Sequence, residues 1–67
     1  LASDELTSRE QEVLEHLRAG VSTKEIGRRL NLTEGTVKTH VRAILAKLGA
    51  ISRTEAVNIA LRRGLLK

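Results

Sequence analysis

Cysteine, proline, methionine and every aromatic residue are absent from this 67-residue chain. Without cysteine there is no disulfide staple and no thiolate metal site, and the redox compartment is left open. The two histidines, His16 and His40, are too few for a metal site of ordinary ligand count, so neither metal nor cofactor is expected. Single-stranded nucleic acid and RNA loops are generally gripped by bases stacking on aromatic rings, and the chain has no Phe, Tyr or Trp to offer. It also lacks the Trp or Phe that a basic domain would use to hold a membrane surface. No apolar run approaches the ~18 residues of a membrane span, and no signal-peptide pattern opens the chain. The expectation is a soluble, cytoplasmic domain with no membrane partner. Its size allows one aliphatic core and little more, since a domain of this size buries only ~60% of its unfolded surface. A chain that begins at Leu1 rather than Met is expected to be a piece of a longer protein.

What is present is charge, unevenly placed. The formal net charge is +4, yet residues 1–19 set Arg9 and Arg18 against Asp4, Glu5, Glu10, Glu12 and Glu15, a net of −3 that leaves the remainder at +7. Basic charge concentrated from Lys24 onward is the footprint expected of a polyanion binder. Taken with the missing aromatics, it points to duplex DNA.

Hydroxyl residues and glycines punctuate the rest. Thr7 with Glu10, Ser22 with Glu25 and Ser52 with Glu55 each have capping-box spacing. Thr33 offers a cap by its hydroxyl alone, with Leu32 and Val37 as a hydrophobic staple. Gly20, Gly49 and Gly64 stand where a left-handed C-terminal residue is wanted, and Asn31 serves the same purpose after Leu30. No period-two alternation is present, so strands are not expected. The fold class is all-α, with four helices: Ser8 to Ala19, Thr23 to Leu30, Glu34 to Leu48 and Arg53 to Arg63. Residues 1–6 read as a tether and 7–67 as one domain. The expected core is Leu6, Val13, Leu14, Leu17, Ile26, Leu30, Leu32, Val37, Val41, Ile44, Leu45, Leu48, Val57, Ala60, Leu61 and Leu65.

The third helix carries the sharpest signal. At ~100° per residue, Val37, Val41, Ile44, Leu45 and Leu48 form one stripe, while Gly35, Lys38, Thr39, Arg42 and Ala46 share the far side. Lys and Arg on a helix face are commonly only solvated charge. Here they stand with a hydroxyl and two residues too small to hold a partner at a distance, a surface suited to a major groove. Only Asn31, Leu32 and Thr33 separate this helix from the one before it, a connection that forces a steep crossing. Gly27, which costs roughly 1 kcal/mol relative to Ala in a helix, sits where close approach is required. Such geometry is that of a helix-turn-helix whose second helix reads the groove.

From Leu6 to Leu66 the chain resembles the DNA-binding domain of the LuxR/FixJ/NarL family of bacterial transcription regulators. The resemblance rests on LTSREQEVL at 6–14, STKEI at 22–26, LTEGTVKTHV at 32–41, KLG at 47–49 and RTEAV at 53–57. Thr23 stands where Asn is frequent, Gly27 where Ala is frequent and Ala50 where Val is frequent. None of these touches the outward face of the third helix. The resemblance implies a four-helix domain that binds duplex DNA as a dimer, usually as the C-terminal output of a two-component response regulator or ligand sensor. It carries base contact to Lys38, Thr39 and Arg42, with Arg42 the residue best suited to guanine. Phosphate contact falls to Lys24, Thr33, Thr36 and His40; His40 lies beside the apolar stripe, so a half-buried structural role stands beside that one. The dimer contact falls to the fourth helix, at Asn58, Ile59 and Arg62, with Ile59 projecting away from the inward arc of Ala56, Val57, Ala60 and Leu61. So small a patch implies a weak homodimer, because stable interfaces bury ~1,200–2,000 Å². A preceding receiver or sensor domain and RNA polymerase are the candidate protein partners.

An enzyme is not expected, because Asp4 with Glu5 and Glu12 with Glu15 read as solvated charge, and no nucleophile has a base at recognisable spacing. A helical module docking an acidic protein partner would be expected to carry large anchors where Gly35 and Ala46 stand. A promoter-binding domain of a sigma factor shares the helix-turn-helix, but the match at RTEAV beyond that motif favours the regulator family.

Overall fold

A computed structural model describes residues 5–67. Among these residues there are four helices and no strand: α1 (Ser8–Arg18), α2 (Thr23–Leu30), α3 (Glu34–Leu48) and α4 (Arg53–Arg62). Residues 1–4 of the expected tether lie outside the described residues, and Leu6 packs half-buried against the core.

Every helix begins where a hydroxyl can hold its first amides. Thr7 Oγ1 accepts from the Glu10 amide at 3.1 Å while Glu10 Oε1 accepts from the Thr7 amide at 2.9 Å, a complete capping box. The other two boxes are half formed. Ser22 and Ser52 accept from the Glu25 and Glu55 amides at 3.2 and 3.1 Å. Glu25, however, is drawn to Arg28 and Arg29 one turn on, at 3.2 Å each, and Glu55 takes the Ile51 amide at 2.7 Å. Asn31 (φ 59°) and Gly49 (φ 66°) close α2 and α3 in the left-handed conformation. α1 and α4 each end one residue before the expected boundary, with Ala19 and Arg63 as right-handed caps.

α3 packs against all three other helices, and α1 also meets α4. Leu14, Ile26, Ile44, Val13 and Val37 are the largest side chains fully withdrawn from solvent, and Leu17, Val41 and Leu48 complete the layer around them. Stripping such a side chain of water contributes roughly 1.5–3 kcal/mol, and with no aromatic ring available the domain relies on these aliphatic groups.

The fourth helix differs from expectation. Its inner face is Ala56 and Ala60, both fully buried, and such small side chains let the backbone approach closely. At ~100° per residue that face is flanked evenly by Val57 and Ile59, and both are half-buried against the core. Ile59 therefore does not project freely, and Leu61, about 120° round the helix, is exposed at 41% instead of joining the core. Leu65 is likewise exposed, and Leu66 takes the inward position. The chain turns back past Gly64, where the Leu65 and Leu66 amides both donate to Ala60 O, at 2.8 and 3.3 Å. That turn breaks the helical register that would carry Leu65 into the core.

One long-range polar contact fixes α3 to the start of the fold. Lys47 Nζ lies 2.6 Å from Glu10 Oε1 and donates to Glu5 O at 3.0 Å. Burial pushes the Glu10 carboxyl up, but the Lys47 ammonium and the Thr7 amide outweigh it and hold the group below the usual carboxylate range. Neither end of the pair is mainly in water, with side-chain exposures of 21% for Lys47 and 8% for Glu10.

Candidate nucleic-acid interface

The turn between α2 and α3 sets the direction of the candidate reading helix. A Cβ on Gly27 would stand 2.7 Å from Leu32 O and 3.6 Å from the Glu34 amide, closer to the carbonyl than side chains come. It is the Leu32 carbonyl of the turn, rather than α3, that a Cβ at this position would force to shift. The Leu32 amide donates to Gly27 O at 2.8 Å and locks the same corner.

From this corner the first turns of α3 run out into solvent. Thr33 Oγ1 accepts from the Thr36 amide at 3.1 Å and lies 2.9 Å from Thr36 Oγ1, leaving two hydroxyls side by side at the positive end of the helix. Gly35, Lys38, Thr39, Arg42 and Ala46 are all exposed, opposite the buried Val37, Val41 and Ile44. The helical period therefore sorts the two faces as expected. Thr39 Oγ1 donates to Gly35 O at 3.1 Å, which commits its proton and leaves its lone pairs and its methyl group facing out. Arg42 has no carboxylate within 4.0 Å among the described residues, and neither does Lys24 on the exposed side of α2. His40 is half-buried.

Two residues to which the sequence assigned no part also shape this face. Glu34 accepts from the buried Thr23 hydroxyl at 3.0 Å, and its Oε2 lies 3.9 Å from Lys38 Nζ, so it ties the starts of α2 and α3 together and gives Lys38 a loose rest position. Arg53, at the first position of α4, shares a cleft of about 240 Å³ with Thr23, Lys38, Val41, Arg42 and Leu45. Its only mark in the sequence was its place in RTEAV. The expected dimer residues Asn58 and Arg62 are exposed on the outer side of α4, with Ile59 half-buried between that side and the core.

Residues 4–60 match the family model described as "Bacterial regulatory proteins, luxR family". The chain belongs to that family. As a luxR-family helix-turn-helix domain, it is a DNA-binding module of transcription regulation. It is 48% identical over 60 residues to the transcriptional regulatory protein LnrK of Bacillus subtilis, covering 90% of this chain and 27% of that protein. It is 47% identical over 55 residues to the CsgBAC operon transcriptional regulatory protein of Escherichia coli, covering 82% of this chain and 26% of that one. In three dimensions it resembles the response regulator ChrA of a heme-sensing two-component system. There the TM-score is 0.89 at 39% identity, over 92% of this chain and 31% of the other. The luxR-family domain thus spans about a third or less of the length of these relatives. None of its described helices is long and apolar enough to cross a membrane.

Proposed function

We propose that this luxR-family domain reads the major groove of duplex DNA with the outward face of α3, as the output domain of a cytoplasmic two-component response regulator. One observation carries the reading. Lys38, Thr39 and Arg42 stand exposed between Gly35 and Ala46, on a helix whose opposite face is buried and whose outward face no other described residue covers. Arg42 and Lys38 suit guanine O6 and N7, and the Thr39 methyl suits thymine. Lys24, at the start of α2, and the Thr33 and Thr36 hydroxyls, at the positive end of α3, meet backbone phosphates, as does His40 further along α3. The action is binding, not catalysis.

Likeness to response regulators supports a preceding receiver or sensor domain, and RNA polymerase is the further partner of such an output. Asn58, Ile59 and Arg62 serve as a weak dimer contact that forms on DNA, since Ile59 is the only aliphatic side chain among the three and half of it is already spent on the core. Selection from a randomised duplex library at low salt, followed by sequencing of the bound fraction, tests the proposal. Enrichment of paired half-sites about one helical turn apart is expected, and retention of DNA without any enriched sequence would count against base readout.

A further inference from the structure

A cleft lies between the starts of α2 and α4 and the middle of α3. Its rim is basic: Lys38 and Arg42 from α3, and Arg53 from α4. Its floor is aliphatic, built by the buried Val41 and the half-buried Leu45. Arg53 is exposed and has no carboxylate within 4.0 Å among the described residues, although Glu55 stands two residues on. It occupies the first turn of α4, where the helix dipole disfavours a cation. A position chosen for stability would carry an acid there. The cation is explained if something anionic comes to it.

Resting on the DNA reading above, we infer that Arg53 and the cleft seat one phosphodiester of the bound duplex, so that α4 as well as α2 and α3 grips the backbone. The low-dielectric floor of Val41 and Leu45 strengthens the attraction between the guanidinium and a phosphate, and an aliphatic floor suits the face of a deoxyribose. Because Arg42 lines the same cleft, a phosphate held by Arg53 fixes how far α3 enters the groove before Arg42 meets a base. Arg53 is thus a positioning residue. It carries no sequence information of its own.

The test is the salt dependence of duplex binding by the parent, Arg53→Ala, Arg53→Lys and Arg53→Glu, with Arg63→Ala as a control cation at the other end of α4. Each phosphate neutralised adds about 0.9 to the slope of log affinity against log salt. Arg53→Ala is expected to lose about that much slope and to weaken binding by the same factor on preferred and scrambled duplexes. Arg53→Lys keeps the slope, and Arg63→Ala does not change it. Arg53→Glu binds more weakly than Arg53→Ala while melting no lower than the parent, because its new charge suits the helix dipole. An unchanged slope in Arg53→Ala, with a parent that binds, would overturn this inference and leave the DNA reading standing. A parent that binds no duplex would remove both. A change in sequence preference without a change in slope would make Arg53 a base reader and overturn the phosphate seat. Inorganic phosphate is titrated alone as a separate arm, followed by amide chemical shifts around Thr23 and Arg53. Saturation by free phosphate at micromolar concentration would overturn the assignment in favour of a small-anion site.

Discussion

Helix α3 carries two lysines that each face a glutamate, and the two pairs have opposite fates. Lys47 lies 2.6 Å from Glu10 with exposures of 21% and 8%, whereas Lys38 lies 3.9 Å from Glu34 with exposures of 57% and 47%. The first pair is enclosed between helices and shares its atoms with a capping box and a backbone carbonyl. The second is a neighbouring pair on one helix face, of the kind that contributes only about 0.3–0.5 kcal/mol. One helix is therefore divided along its length. Its C-terminal end is anchored to α1 through Lys47, and its outward face before that holds Lys38 and Arg42, cations that a partner can take at small cost.

The division can be broken at three places. The largest effect is expected at the corner between α2 and α3. Gly27→Val drives a branched side chain into Leu32 O, already 2.7 Å from where a Cβ would stand. Overpacking of this kind costs about 1–3 kcal/mol, and with a further helix-propensity change the melting temperature should fall by roughly 10 °C or more. A Gly27→Val domain that melts like the parent would show that the turn yields freely and does not aim α3.

Next comes the anchored pair. Lys47→Ala leaves a buried carboxylate without its cation and should cost about 1–3 kcal/mol in urea melts at pH 7. The stabilisation has a definite pH sense. Because the folded state holds the Glu10 carboxyl below its ordinary value, the gain is full above about pH 4.3 and is lost as pH falls through the lower folded value. The gap between parent and Lys47→Ala should therefore narrow between pH 5 and pH 3 (about the range of carboxylate titration). A gap independent of pH would assign the loss to packing of the lysine stem instead. The smallest effect on stability belongs to Lys38→Ala, within about 0.5 kcal/mol of the parent, checked in the same melts.

Much of this division was legible in the sequence. Hydroxyl caps, Asn31 and Gly49 mark α2 and α3 with their observed bounds, because a cap depends on residues within one turn of it. The two faces of α3 follow from its period alone. The pairing of Glu10 with Lys47 was not legible, since 37 residues separate them and periodicity does not say which helices meet. Nor was the fate of Leu61, Leu65 and Leu66, because Ala56 and Ala60 set the inner face of α4 and the Gly64 turn resets the register beyond it. Arg53 was visible only as a letter in a motif. Its place in the cleft depends on how α4 crosses α3, which no local pattern encodes.

If the outward face of α3 reads sequence and the end that Lys47 anchors does not, the deciding measurement is the ratio of affinities for the preferred and a scrambled duplex in Arg42→Ala and Lys38→Ala, with thermal melts alongside. Each variant is expected to melt with the parent and to lose discrimination worth about 1–3 kcal/mol. A variant that is as stable as the parent and keeps the parent's ratio would contradict the claim.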